Sequence, residues 1–216
     1  LFNSEIFDHI RDTGISSRGE YEVTDSIGLL IESGANVKAA ILPANGWMDV
    51  GHPWDLLEAN ARALNGLVSS VSGDIEENVS IYGPVHIGKG TRIRSGTYLE
   101  GPIYIGACSD IGPNCYIRSY TSIGSGVRIG NACEIKNSIV MDSSHIAHLS
   151  YFGDSVIGAG CNFGAGTITA NIRFDKKYIK MNLKGSRVNS GCRKFGVVVG
   201  DSSQTGINVS LLPGIK

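Results

Sequence analysis

From Ile75 onward an aliphatic residue returns at every sixth position: Ile81, Ile87, Ile93, Leu99, Ile105, Ile111, Ile117, Ile123, Ile129, Ile135 and Met141. Four places after each stands a small or β-branched residue, in the series Val79, Val85, Thr91, Thr97, Ile103, Ser109, Cys115, Thr121, Val127, Cys133 and Ile139. Neither the 3.6 period of a helix nor the alternation of an open sheet produces this pattern. A fixed short repeat marks a solenoid, and a hexapeptide repeat marks a parallel β-helix. Three hexads make one coil, both columns point inward, and residues eighteen apart stack at the strand spacing of about 4.8 Å. A β-sandwich of short strands would instead show irregular loop lengths. Glycine often follows the aliphatic residue, at Gly88, Gly106, Gly112, Gly124 and Gly130, as expected of a corner with unusual backbone angles.

The pattern breaks in two places. Position 147, due for an aliphatic, holds Ala147, and a new phase is read at Tyr151, Ile157 and Phe163. The slip contains His145, inward in the old phase, and His148. Residues 172–194 then abandon the repeat and carry Arg173, Lys176, Lys177, Lys180, Lys184, Arg187, Arg193 and Lys194. This is an inserted basic loop, read mostly as a solvated excursion with one cation able to reach a bound anion. The repeat returns at Val199, Thr205 and Leu211, and no capping element follows, although terminal coils need a polar cover.

Before the repeat, Ser4 to Ile10 and Glu20 to Ser33 are predicted helices, from the apolar faces Ile6/Phe7/Ile10 and Val23/Ile27/Leu30/Ile31. Val37 to Leu42 is predicted as a strand. The opening at Leu1, without a methionine, reads as a truncation. The expected organisation is an α/β remnant over 1–70 and a mainly β solenoid over 71–216.

Charge is nearly balanced, with 19 basic and 20 acidic residues and no basic run, which argues against a nucleic-acid partner. No apolar stretch has membrane length, so no membrane association is expected. The five cysteines lack paired zinc spacing; Cys115, Cys133 and Cys161 read as small core residues of a reducing compartment, and a cytoplasmic protein is expected.

Sorted by eighteen, the positions after the aliphatic residue give a file Tyr82, Glu100, Arg118, Lys136. Arg118 and Lys136 are therefore expected on neighbouring coils about 5 Å apart. Glu100 is placed to pair with Arg118, while Lys136 has no partner unless Asp142 or Asp154 reaches it. A phosphate monoester would satisfy both cations; a solvated pair of surface charges is the other reading.

The stretch Gly46-Trp47-Met48-Asp49-Val50-Gly51-His52-Pro53-Trp54-Asp55, with Arg18 to Asp25, resembles the closing part of sugar-1-phosphate nucleotidylyltransferases. That resemblance implies a role for Asp49 in binding Mg²⁺ at the nucleotide phosphates of a complete catalytic domain. Taken alone, Asp49 is a turn residue. The glycine-rich loop that would cradle a triphosphate is absent from this chain, so no nucleotidylyl transfer is expected of it.

The stretch His148-Leu149-Ser150-Tyr151-Phe152-Gly153-Asp154, with Asn162 to Asn171, resembles the acetyltransferase half of archaeal-type bifunctional UDP-N-acetylglucosamine pyrophosphorylases. The resemblance implies a left-handed β-helix that forms a homotrimer and holds acetyl-CoA between adjacent coils. It also implies N-acetyl transfer to glucosamine 1-phosphate or galactosamine 1-phosphate. His148 matches the general base, Arg118 and Lys136 the sugar-phosphate ligands, and Tyr151 and Asn162 residues that hold the amino sugar. Asn171 and Lys177 match residues lining the shared site, and Ala165 a backbone contact to the acetyl group. Ile172 stands where an aromatic is common, a departure that bears on Lys177. An ammonium group is no nucleophile until a base removes a proton, and histidine suits that task near neutral pH.

Two other readings compete. One is a nucleotidylyltransferase whose β-helix is only an oligomerisation arm, as in ADP-glucose pyrophosphorylases. The other, a metal site like that of γ-carbonic anhydrases, needs three converging histidines. The coil offers only His86, His145 and His148, and His86 lies more than three coils away.

Overall fold

The computed structural model describes residues 2–43 and 46–216, so Leu1 lies outside the described residues. The chain forms two compact units, Leu1–Met48 and Asp49–Lys216. In the first, helices α1 (Ile6–Asp12) and α2 (Val23–Glu32) bury Ile6 and Leu30. Thr13 and Ser26 join their hydroxyls at 2.7 Å between them. Phe7 and Ile10, expected on the buried face of α1, are exposed. Val37 to Leu42 forms no strand, and Ile41 and Leu42 are exposed. Among the described residues no strand pairs with this segment, and its exposed backbone is left to water.

The second unit begins with helix α3 (Pro53–Leu64), which the hydrophobic pattern did not single out. Pro53 opens it with a preset φ, and the Asp55 carboxylate accepts from the amides of His52 (2.8 Å) and Gly51 (3.1 Å). By contacts this helix belongs with the solenoid, so the division at residue 49 differs from the one expected at residue 70.

The solenoid is a left-handed parallel β-helix with three faces. The first face runs from Asp74–Ile75 through Arg92–Ile93, Asp110–Ile111, Arg128–Asn131 and His145–His148 to Asn162–Phe163. The second runs from Ser80–Tyr82 through Tyr98–Glu100, Tyr116–Ile117, Glu134–Lys136, Tyr151–Gly153 and Ile168–Thr169 to Ser210–Leu211. The third runs from Ser70–Val71 to Val198–Val199. Ile87, Ile93, Ile105, Ile111, Ile117, Ile123, Ile129 and Ile135 are fully buried, as the six-residue pattern requires. Each such side chain contributes about 1.5–3 kcal/mol by leaving water. The outermost members differ: Ile75 is 40% exposed.

The slip comes earlier than the pattern suggested, and there are two. Val140, not Met141, follows Ile135 into the core, because Ile123 pairs with Val140. Phe152, not Tyr151, pairs with Ile135, and the next inward residue is Ile157. Both shortenings fall between the second and third faces. The inward column therefore takes Ser138 in place of Ile139, and His145 turns outward while Ile146 fills the core.

The corner glycines are explained by proximity rather than by unusual φ. A Cβ on Gly88 would lie 2.6 Å from the Gly106 carbonyl carbon, and one on Gly106 2.7 Å from that of Gly124. Of the five, only Gly112 has a positive φ.

Residues 172–194 keep most of their basic side chains exposed, as expected, while their backbone folds back against the solenoid. Lys180–Leu183 and Ser186–Asn189 pair antiparallel, and Ile179, Met181 and Phe195 are fully buried. They pack with Leu57 of α3 and Val156 of the third face, so hairpin and helix cover that face together.

Candidate functional site

The corner between the second and third faces carries Arg118, Lys136 and Asp154 on successive coils, with Asn171 next. The Arg118 amide donates to Ile135 O at 2.8 Å, which sets Arg118 beside Lys136 as the stacking predicts. Asn137 and Asp154 occupy the left-handed region, with φ of 44° and 52°, a conformation their side chains tolerate better than most.

Asp154 is only 4% exposed and gathers four donor contacts. Lys136 Nζ lies 3.2 and 3.1 Å from its two oxygens, Asn137 Nδ2 donates at 2.7 Å and Asn171 Nδ2 at 2.5 Å. Asn171 Nδ2 also reaches Tyr151 Oη at 3.2 Å. Burial, then the negative Asp154, pushes the Tyr151 hydroxyl pKa up and keeps it a phenol. Arg118 pairs with Glu134 at 2.9 Å, not with Glu100, which takes the Tyr116 hydroxyl instead. The guanidinium also lies over the Tyr116 ring, 5.3 Å from its centre. The Glu134 hydrogen bond raises the Arg118 pKa further, so it stays a cation. Arg118, Lys136, Asn137, Ser119, Tyr120 and Glu100 line a pocket of about 290 Å³.

His148 lies at the opposite edge of the second face, at the corner shared with the first. It is exposed, stands beside Asn131 of the preceding coil, and precedes Leu149, whose φ is 49°. Its carbonyl accepts from Gly166 N at 3.1 Å and Ser150 Oγ at 2.7 Å, while no partner among the described residues engages its imidazole. That bond to Gly166 sets Ala165 on the coil above His148. Gly153, which pairs with Lys136, is five steps along the chain from His148, so the two corners are at most about 17 Å apart at 3.3 Å per residue. Between them lies a hollow of about 390 Å³ that includes Tyr116, Glu134, Leu149, Tyr151 and Ile168.

The structure thus gathers Lys136, Tyr151 and Asn171, with Arg118 alongside, and places His148 and Ala165 across the same face. It does not bring Asn162 or Lys177 there. Asn162 pairs with His145 on the first face, and Lys177 is exposed in the insertion. Asp154, Asn137 and Glu134 complete the corner without having been assigned roles. Asp154 stood only as a conditional partner of Lys136, and Asp142, the other, accepts from Ser125 N at 2.8 Å.

Asp49 is exposed, and its neighbour Asp55 is committed to the start of α3. No three His, Cys, Asp or Glu side chains converge on a metal position among the described residues. The residues present therefore do not by themselves fit Mg²⁺.

Two family models match the chain, nucleotidyl transferase over residues 1–66 and the GMPPB C-terminal domain over 99–201. A bifunctional sugar-1-phosphate nucleotidylyltransferase/acetyltransferase of Sulfurisphaera tokodaii is 48% identical over 216 residues, 99% of this chain and 53% of that protein. The bifunctional protein GlmU of Methanococcus maripaludis is 56% identical over 214 residues, 99% of this chain and 51% of that protein. The chain spans about half the length of these curated relatives. Among solved structures, a mutant of perosamine N-acetyltransferase from Caulobacter crescentus, in complex with CoA and GDP-perosamine, matches with a TM-score of 0.40. The match has 12% identity over 95% of this chain and 84% of that one.

Proposed function

We propose that the chain belongs with the bifunctional sugar-1-phosphate nucleotidylyltransferase/acetyltransferases it is similar to, and that its β-helix transfers the acetyl group of acetyl-CoA to the amine of an amino-sugar 1-phosphate. Glucosamine 1-phosphate and galactosamine 1-phosphate are the two substrates that fit this reading. The observation that carries it is the second face: paired cations at one edge, an unengaged imidazole at the other, and Tyr151 between them.

In this reading the phosphate rests on Arg118 and Lys136, the first as a planar fork and the second as a point charge. Tyr151 and Asn171 hold the sugar across the face. The His148 imidazole takes a proton from the ammonium, and the free amine attacks the thioester carbonyl. No acceptor among the described residues takes the Ala165 N–H, which leaves it to donate to the oxygen that gains charge. As that intermediate collapses, the nitrogen releases its second proton to solvent, and the expelled CoA thiolate takes the proton held on His148 and leaves as thiol. Asn162 and Lys177 lie away from this face, and a homotrimer would let a second copy of the chain complete the site.

For the whole protein we propose a second activity, nucleotidylyl transfer, in which Asp49 would be one of the residues that hold Mg²⁺. The chain itself is expected to show no such turnover.

The test is thiol release from acetyl-CoA with either amino-sugar phosphate, comparing the chain with His148→Ala. A fall of about a hundredfold or more is the scale of a lost general base. No thiol release from folded protein would leave the β-helix as an oligomerisation arm.

A further inference from the structure

Asp154 is the most deeply buried charge of the phosphate corner. An acid beside a cation that is to receive a phosphate looks counterproductive, since it competes for Lys136. The geometry gives it another use. Lys136 has a long flexible stem, Asn171 is the last residue before the hairpin insertion, and both take their direction from the one carboxylate. That carboxylate is itself fixed by burial and by the left-handed backbone of a shortened corner. Lys136 retains donor capacity beyond the two contacts to Asp154.

We propose that Asp154 is the positioning residue of this corner, holding Lys136 and Asn171 in the arrangement that receives the phosphate of the amino sugar. This rests on the acetyltransferase reading for the identity of the ligand, though not for the presence of a phosphate site. An isolated ammonium on a mobile stem would lose conformational freedom on every binding event; the carboxylate has already removed it.

Asp154→Asn is the variant of choice, because asparagine tolerates the left-handed backbone and keeps the shape. An amide offers one oxygen where the carboxylate offers two, and it turns its NH₂ group toward other donors. The full chain is titrated calorimetrically with inorganic phosphate and assayed for thiol release. For Asp154→Asn, the phosphate Kd and the KM for the amino-sugar phosphate are expected to rise about tenfold or more, the scale of a lost charge-assisted hydrogen bond. The KM for acetyl-CoA should stay within about twofold, because the thioester end lies at the opposite corner. The double variant Lys136→Ala/Asp154→Asn should bind phosphate no more weakly than Lys136→Ala alone, since one acts through the other.

Tighter phosphate binding by Asp154→Asn would overturn the proposal and mark the carboxylate as a mere competitor. Unchanged Kd and KM with a lower melting temperature would reduce it to a structural residue and overturn the proposal equally. Absence of phosphate binding by the unsubstituted chain would also sink it. If that chain binds phosphate yet releases no thiol, the acetyltransferase reading fails while the phosphate titration still decides the role of Asp154.

Discussion

Two cations that look equivalent in the repeat are held in unlike surroundings. Lys136 pairs with an acid whose side chain is 6% exposed, whereas Arg118 pairs with Glu134, whose side chain is 35% exposed. Lys136→Ala strands a buried carboxylate and is expected to cost about 3 kcal/mol of stability besides weakening substrate binding. Arg118→Ala should cost about 1 kcal/mol or less while still raising KM for the sugar phosphate. Thermal melts run beside the kinetics separate the two. Cysteine chemistry is graded in the same way: burial pushes the Cys115 thiol pKa up to about 12, while Cys108 is exposed. In native protein at pH 8, a thiol reagent should modify Cys108 rapidly and leave Cys115 untouched until the chain unfolds. The neighbourhood of Arg118 and Lys136 was readable from the eighteen-residue file alone. Asp154, eighteen residues past Lys136, was readable only as one of two conditional partners; its burial and its role as a hub were not, because the shortened corner shifts the register so that Gly153 pairs with Lys136.

Among the elements, the strands were legible because each hexad carries its own inward residues. Helix α3 and the hairpin were not. Their apolar residues have meaning only against each other: Leu57, Ile179, Met181 and Phe195 meet over Val156, although they lie far apart in the chain. Trp54 adds an edge contact to the Phe195 ring, with centres 6.1 Å apart. Phe195→Ala is expected to cost about 3–5 kcal/mol and to loosen the hairpin. Limited proteolysis should then cut within residues 172–194 faster than it does in the unsubstituted chain. Helix α3 also ties to the coil through Asn60, whose side chain donates to Tyr120 O at 2.8 Å and accepts from Ser122 Oγ at 2.5 Å. Tyr120 lines the phosphate corner, so the helix that precedes the solenoid supports the wall of its pocket.

At the scale of the molecule, each coil of the solenoid is stabilised chiefly by its two neighbours. Amide exchange should be slowest between Ile105 and Phe163 and fastest before Ile87, where Ile75 and Val71 are exposed. On the first face the coils are also linked by charge, with Arg94 and Arg128 both paired to Asp110. The Arg94 hydrogen bond holds the Asp110 pKa below the usual carboxylate value. The stability it supplies is present above that value and is lost as pH falls through the depressed one. Asp110→Asn should therefore flatten the acid limb of a stability-against-pH curve, measured by urea unfolding.

The corner between the second and third faces takes four steps from Ile117 to Thr121 but three from Ile135 to Ser138 and from Phe152 to Ser155. One coil later it opens into the whole hairpin, between Thr169 and Val197. Its length is thus free to vary while the flat faces stay in step, since a residue lost or gained there changes no inward column. Single-codon deletions and spliced loops at this corner would reshape the pocket without unseating the core. Substrate choice in such a scaffold can therefore diverge through insertion and deletion, a route closed to folds whose sites lie within their paired strands.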